Sequence, residues 1–203
     1  MFLTALVATT AVAFTQAQAA PVNCPITLQP VVKGMAVTDY NGVRFNYCCP
    51  GCDQQFLKDP QAALDKAAKA GKTVGVFLFD PITKKPLDAT KAKGGFSDYK
   101  GIRFYFVADY DKATFDKEPG KYGVLPKKEA LFCPVSEEKV DGYPKASGYD
   151  DFEGTRYNFC CAGCDQPFAK DPGKFAPSAK DQIQAPKPQT PAKADASKGG
   201  SFK

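Results

Sequence analysis

The chain contains no histidine. That removes the usual general base at neutral pH and the commonest ligand of catalytic zinc. A phosphate-binding loop of the Gly-x4-Gly-Lys-Ser/Thr type and a Gly-x-Ser-x-Gly nucleophile turn are missing as well. No catalytic constellation is left, and the expectation is a binding protein rather than an enzyme. Charge is absent from the first 20 residues, and long apolar runs are scarce. The run from Met1 to Phe14 is apolar and small, but it is shorter than the ~20 residues that span a bilayer. It leads into Ala17-Gln18-Ala19, an Ala-x-Ala cleavage pattern. Residues 1–20 therefore read as a secretory signal peptide, although no positive residue stands near the start. Val22-Asn23-Cys24-Pro25 is a poor lipid-attachment sequence, so the expectation is a mature chain without a stable membrane span. Its expected location is periplasmic or extracellular, where disulfides persist.

The net charge of +5 is concentrated at the other end. Residues 176–203 hold five Lys and two Asp among Pro, Ala, Gln and Ser. From 177 onward this composition predicts a disordered tail. The remaining body is close to neutral, which argues against nucleic acid as a partner. The sequence names no protein partner.

What the chain does have is eight cysteines in two sets of one design. Cys48-Cys49-Pro50-Gly51-Cys52 has an upstream partner in Cys24-Pro25. Cys160-Cys161-Ala162-Gly163-Cys164 has one in Cys133-Pro134. Thiolates at fixed spacing bind soft metals or pair as disulfides.

Self-comparison finds a repeat, and it occurs three times. Gly154 to Cys161 matches Gly42 to Cys49, and Phe168 to Pro172 matches Phe56 to Pro60. Between them, Gly101-Ile102-Arg103-Phe104 is followed by Phe115, Lys117 and Pro119 at the spacing of the last copy. Leu78-Phe79-Asp80-Pro81 likewise meets Leu131-Phe132-Cys133-Pro134. The middle copy has lost every thiol: Asp80 stands for Cys133, Val107 for Cys160, Ala108 for Cys161 and Asp111 for Cys164. The aromatic and glycine frame is thus a scaffold, and the thiols are an added site. Two carboxylates are too few to cage a harder ion in the middle copy. Units of about 45 residues rarely fold alone without a staple, so the middle one is expected to pack on its neighbours.

Local patterns fill in each unit. Asn41-Gly42 between alternating stretches predicts a two-residue hairpin, with Lys100-Gly101 and Glu153-Gly154 as its counterparts. Phe45 and Tyr47 fall on one strand face, and Arg44 and Asn46 on the other. A short helix is expected from Cys52 to about Leu57. Asp59-Pro60 then caps a second, Ala-rich helix from Gln61 to Ala70, closed by Gly71. The other copies carry glycine at this point and should stop sooner. Tyr40, Phe45, Tyr47, Phe56 and their counterparts read as core. Arg44, Arg103 and Arg156 read as strand-face salt bridges, with a contact to a thiolate as the other possibility.

The order of Cys-Pro turn, hairpin, Cys cluster and helix resembles a treble-clef zinc-binding unit. More narrowly it is similar to the TRASH and YHS families, on Cys24, Tyr47-Cys48 through Cys52 and Phe56, and on Cys133, Phe159-Cys160 through Cys164 and Phe168. The resemblance covers most of the mature chain and implies metal binding or sensing. The fold class it implies is α+β: three tandem zinc-finger-like (treble-clef/TRASH-like) units packed together. Their expected boundaries are 21–71, 72–126 without cysteine, and 127–176. Segment Phe159 to Cys164 also resembles, more weakly, a metal-binding stretch of copper-transporting ATPases.

One departure concerns the ligands. A zinc knuckle usually offers a second cysteine on its turn, where this chain has Thr27 and Ser136. The fourth ligand must then come from the doubled cysteine. The expected metal ligands are Cys24, Cys48, Cys49 and Cys52, and Cys133, Cys160, Cys161 and Cys164. Four thiolates suit Zn2+, and three would equally suit Cu+. The competing expectation is disulfides without metal, making the chain a stapled interaction module. Thiol exchange at the Cys-x2-Cys pairs is a third reading.

Overall fold

The computed structural model describes residues 20–191. All of the expected signal peptide except Ala20, and the tail from 192 onward, lie outside the described residues. The architecture is mixed α+β, with small sheets and short helices.

Three hairpins set the pattern. Ala36–Tyr40 (β1) pairs with Val43–Tyr47 (β2), Phe96–Tyr99 (β4) with Ile102–Tyr105 (β5), and Gly148–Phe152 (β9) with Thr155–Phe159 (β10). Both residues of each two-residue turn have positive φ: Asn41 and Gly42, Lys100 and Gly101, Glu153 and Gly154. This is the turn whose twist matches the flanking strands. A helix follows each hairpin: Cys52–Lys58 (α1), Asp109–Lys117 (α3) and Asp165–Lys170 (α5). A second helix begins on a proline in each case, at Pro60–Lys69 (α2), Pro119–Tyr122 (α4) and Pro172–Phe175 (α6). The Asp59 carboxylate caps α2 by accepting the Ala62 N–H at 2.9 Å. The two copies with glycine stop after four residues, as expected from its helix cost.

One phenylalanine per repeat holds helix to hairpin. Phe56 meets Phe45 at 4.6 Å between ring centroids, Tyr47 at 5.9 Å and Tyr40 at 6.2 Å. Phe115 meets Phe104, Phe106 and Tyr99 in the same way, and Phe168 meets Tyr157, Phe159 and Phe152. Tilted and edge-on rings at these separations add attraction beyond simple burial. The opposite strand face carries the arginines. Each stands directly across the hairpin from an aspartate and binds its carboxylate with two N–H groups: Arg44 with Asp39, Arg103 with Asp98, Arg156 with Asp151. The expected salt bridges are present in all three copies. They are two-pronged, which also fixes the register of each hairpin.

Short strands between the hairpins join the copies. Gly75–Phe77 (β3) runs antiparallel to β2 and parallel to β5, giving one five-stranded sheet of order β1-β2-β3-β5-β4. The middle copy therefore shares a sheet with the first. Lys128–Ala130 (β6) lies parallel to β10 in a three-stranded sheet of order β6-β10-β9. The middle copy also reaches the last one. Lys84 pairs with Asp150, Lys85 with Asp165 at 2.8 Å, and the Tyr149 ring packs on Phe77 and Phe79.

The expected disorder from 177 is corrected for residues 177–191. Ala176–Gln182 forms a 3-10 helix with Ala179 wholly buried. Beyond it, Gln184 exchanges two backbone hydrogen bonds with Glu129 at 2.8 and 2.9 Å. Gln189 does the same with Asp39, at 2.8 Å each way. The composition lacks a core-forming pattern, but β1 and β6 are edge strands whose free N–H and C=O groups need partners. The segment straps both. Among the described residues no helix is long and apolar enough to cross a membrane.

Candidate metal centre

Each cysteine set is assembled from three places in the fold. Cys24 and Cys133 sit at the head of a tight turn, where the carbonyl accepts the N–H four residues on, from Leu28 and Glu137, at 2.9 Å. Those residues have φ near +59°. The doublets Cys48-Cys49 and Cys160-Cys161 follow the last residue of β2 and β10, beside the turn that the hairpin brings back. Cys52 opens α1, and Cys164 caps α5. Between doublet and helix the chain reverses at Gly51 and Gly163, with φ of +80° and +95°. A Cβ would meet nothing at either place, so backbone conformation alone makes them glycine.

The reversal brings sulfurs together. The Sγ atoms of Cys24, Cys48, Cys49 and Cys52 lie within 4.8 Å of one another, as do those of Cys133, Cys160 and Cys164. Sulfurs held about 2.3 Å from one tetrahedral ion are separated by about 3.8 Å. The second set could therefore hold a soft ion after small side-chain rotations, and the first could do so once Cys49 and Cys52 are reduced. Cys161 lies outside the second set. It is exposed, and its Sγ is 2.8 Å from that of Cys164. In the first set Cys49 and Cys52 are joined as a disulfide, with Cα atoms 5.7 Å apart. Cys24, Cys48 and the four cysteines of the last copy are free thiols.

The surroundings sort the thiols by charge. Burial acts to raise the Cys24 pKa, yet the thiol is held below its ordinary value. The N–H groups of Thr27, Cys48 and Ile26 and the Thr27 hydroxyl favour its thiolate. At Cys133 burial is again outweighed, by the Ser136 hydroxyl and the N–H groups of Cys160, Ser136 and Val135. Both residues are fully buried, so these donors replace water. Burial pushes Cys160 up to about 12, against the Ser136 hydroxyl, and raises Cys164 as well. In each set the turn cysteine is the one whose thiolate the surrounding donors favour. Thr27 and Ser136, which stand where a knuckle carries its second cysteine, place hydroxyls 3.2 Å and 3.0 Å from the sulfurs of Cys48 and Cys160.

The middle copy shows what those N–H groups want. The Asp80 carboxylate occupies the turn-cysteine position, wholly buried. It accepts the N–H groups of Ile82 at 2.8 Å, Thr83 at 3.2 Å and Val107 at 2.8 Å. These donors are the counterparts of Val135, Ser136 and Cys160. The same anion cradle is built three times, filled twice by sulfur and once by a carboxylate. Asp111, at the place of Cys164, has its pKa raised by burial and by the Asp80 charge.

Sequence reasoning missed two lysines at the rims. Lys66 of α2 donates to the Ile26 carbonyl in the first turn, at 2.9 Å. Lys85 reaches Asp165, the residue after Cys164, from the middle copy. No periodicity marks either contact, because both join segments distant in sequence. Comparison with family models, with curated proteins and with solved structures finds no match to this chain.

Proposed function

We propose that the chain is an exported metal-binding protein that holds soft ions in two cysteine-thiolate sites. Zn2+ is the first choice of ion and Cu+ the second. The three copies are read as tandem treble-clef units of the TRASH/YHS kind, the first and last loaded and the middle one a thiol-free spacer. The role is sequestration, delivery or sensing of the ion outside the cytoplasm, and binding rather than catalysis. One observation carries the reading: sulfurs from a turn, a strand end and a helix start converge in both cysteine-bearing copies. The buried N–H cradle around Cys24 and Cys133 supports it, since it favours the thiolate that a metal requires.

The test is elemental analysis with thiol titration of protein reduced and loaded with Zn2+ or Cu+. The reading expects two ions per chain, falling to one in Cys24→Ser and in Cys133→Ser. A fully reduced, folded chain that retains no metal after gel filtration overturns it. A second reading, a disulfide-stapled interaction module without metal, is favoured by the Cys49–Cys52 bond. It expects the reduced protein to take up no ion and the native protein to yield few free thiols.

A further inference from the structure

Three thiolates from turn, strand end and helix start already make a soft-ion set, yet each copy places one more cysteine beside the strand-end ligand. In the last copy the mutually close sulfurs are those of Cys133, Cys160 and Cys164, with Cys161 outside and turned to Cys164 at 2.8 Å. In the first copy all four sulfurs are mutually close, and the equivalent pair, Cys49 and Cys52, is covalently joined while Cys24 and Cys48 stay free. In both copies the second member of the doublet addresses the same partner, the helix-start cysteine. We propose that Cys49 and Cys161 are release thiols. Each captures Cys52 or Cys164 as a disulfide, withdraws that sulfur from the ligand set and so expels the ion. The inference rests on reading the two sets as metal sites.

The geometry favours this division of labour. The glycine reversal brings the Cys49 and Cys52 Cα atoms to 5.7 Å, inside the range a disulfide requires. Cys161 is exposed, so an oxidant in solution reaches it first, whereas Cys24 and Cys133 are completely buried. Neighbours within a doublet pair poorly with each other. The withdrawal leaves two thiolates, Cys24 with Cys48 or Cys133 with Cys160, too few to complete a tetrahedral Zn2+ site.

The co-reactant is a small-molecule disulfide. The Cys161 thiol, as thiolate, attacks one of its sulfurs and displaces one small thiolate, forming a mixed disulfide. The Cys164 thiolate then attacks the Cys161 sulfur and displaces the second. Two protein sulfurs are oxidised and the small disulfide is reduced to one thiol and one thiolate. The proton lost by Cys161 goes to the first, the thiolate takes its proton from water, and the ion leaves in its original charge state.

The experiment uses the full chain, reduced, loaded with Zn2+ and freed of excess ion, then exposed to glutathione disulfide. Ion release is followed with a chromogenic chelator, and disulfides are mapped by peptide mass. Wild type should release both ions, with Cys49–Cys52 and Cys161–Cys164 as the mapped bonds. The variant Cys161→Ser should load two ions, which certifies its fold, and release the ion of the last copy at least tenfold more slowly while the other leaves at the wild-type rate. Loading of fewer than two ions by this variant overturns the proposal, since Cys161 is then a ligand. Release at the wild-type rate, or mapped bonds to Cys24 or Cys133, overturns it equally. Reduced wild type that takes up no Zn2+ removes the metal-binding reading itself, whereas normal loading with unaltered release removes only the release thiols.

Discussion

Glu129 offers a quantitative test of how the copies are joined. It lies in β6, 1 % exposed, and its Oε1 accepts the Tyr143 hydroxyl at 2.7 Å. That hydroxyl in turn accepts the Asn41 N–H at 3.0 Å, from the hairpin turn of the first copy. Burial raises the Glu129 pKa from 4.5 to about 7, with the Tyr143 hydroxyl and the Arg156 charge acting against the rise. The folded chain therefore keeps a proton on Glu129 that the unfolded chain has lost above pH 4.5. Stability is fully present below about pH 4.5, declines as pH rises, and reaches its lower plateau above about pH 7. At about 1.4 kcal/mol per pKa unit the decline is on the order of 3 kcal/mol. The chain has no histidine to titrate in this window. Urea unfolding of wild type and Glu129→Gln, equally reduced and metal-loaded, at intervals from pH 4.5 to 8 isolates the effect. The amide keeps an acceptor for Tyr143 but has no proton to lose. Wild type should fall by about 3 kcal/mol relative to the variant across the range. Parallel pH profiles for the two proteins would refute the reasoning.

Three further outcomes follow from packing. Phe56→Ala removes the ring that holds α1 to its hairpin and should cost about 3–5 kcal/mol in chemical denaturation. Leu57→Ala, at a partly exposed neighbour, should cost far less. Gly75→Ala puts a Cβ 2.5 Å from Val43 Cγ1 and 2.7 Å from Phe45 Cε1, at the seam between the first and middle copies. It should cost about 1–3 kcal/mol and weaken amide-exchange protection in β2 and β3. Asp80→Ala leaves three N–H groups without their acceptor and should destabilise by at least about 3 kcal/mol. Asp80→Asn, which keeps one carbonyl oxygen, should cost less by the same measurement.

Much of the local structure could be read from the residues, because local rules decide it. Asn41-Gly42 requires positive φ at both places, Asp59-Pro60 is a cap with a fixed-φ start, and the spacing of Phe45, Tyr47 and Phe56 sets one face against a helix. That the three arginines form strand-face salt bridges was legible for the same reason, though which aspartate each one meets came only from the hairpin register. What escaped is non-local. Gly75-Val76-Phe77 is too short to show a period, and nothing in it names β2 and β5 as partners. The strap at 183–191 reads as a polar tail because its bonds use backbone atoms, which every sequence possesses. In the candidate site, the residue types and the doublets were visible. The difference between Cys49 and Cys161 on one hand and Cys48 and Cys160 on the other was not, since it depends on which way a sulfur turns after a glycine reversal.

The buried carboxylate of Asp80 has a consequence for how the other two turns behave. It locks the central turn by three hydrogen bonds that the chain itself supplies, so the middle of the molecule needs no ion to take shape. Through β3 it shares backbone bonds with the strand leading to Cys48, and through Lys85 it grips the residue after Cys164. The centre of the molecule is therefore a keel that takes shape before either cysteine set is filled. Under the proposed function, capture of an ion would then ask only for the closing of a few loop residues, and little of its binding energy would be diverted into folding.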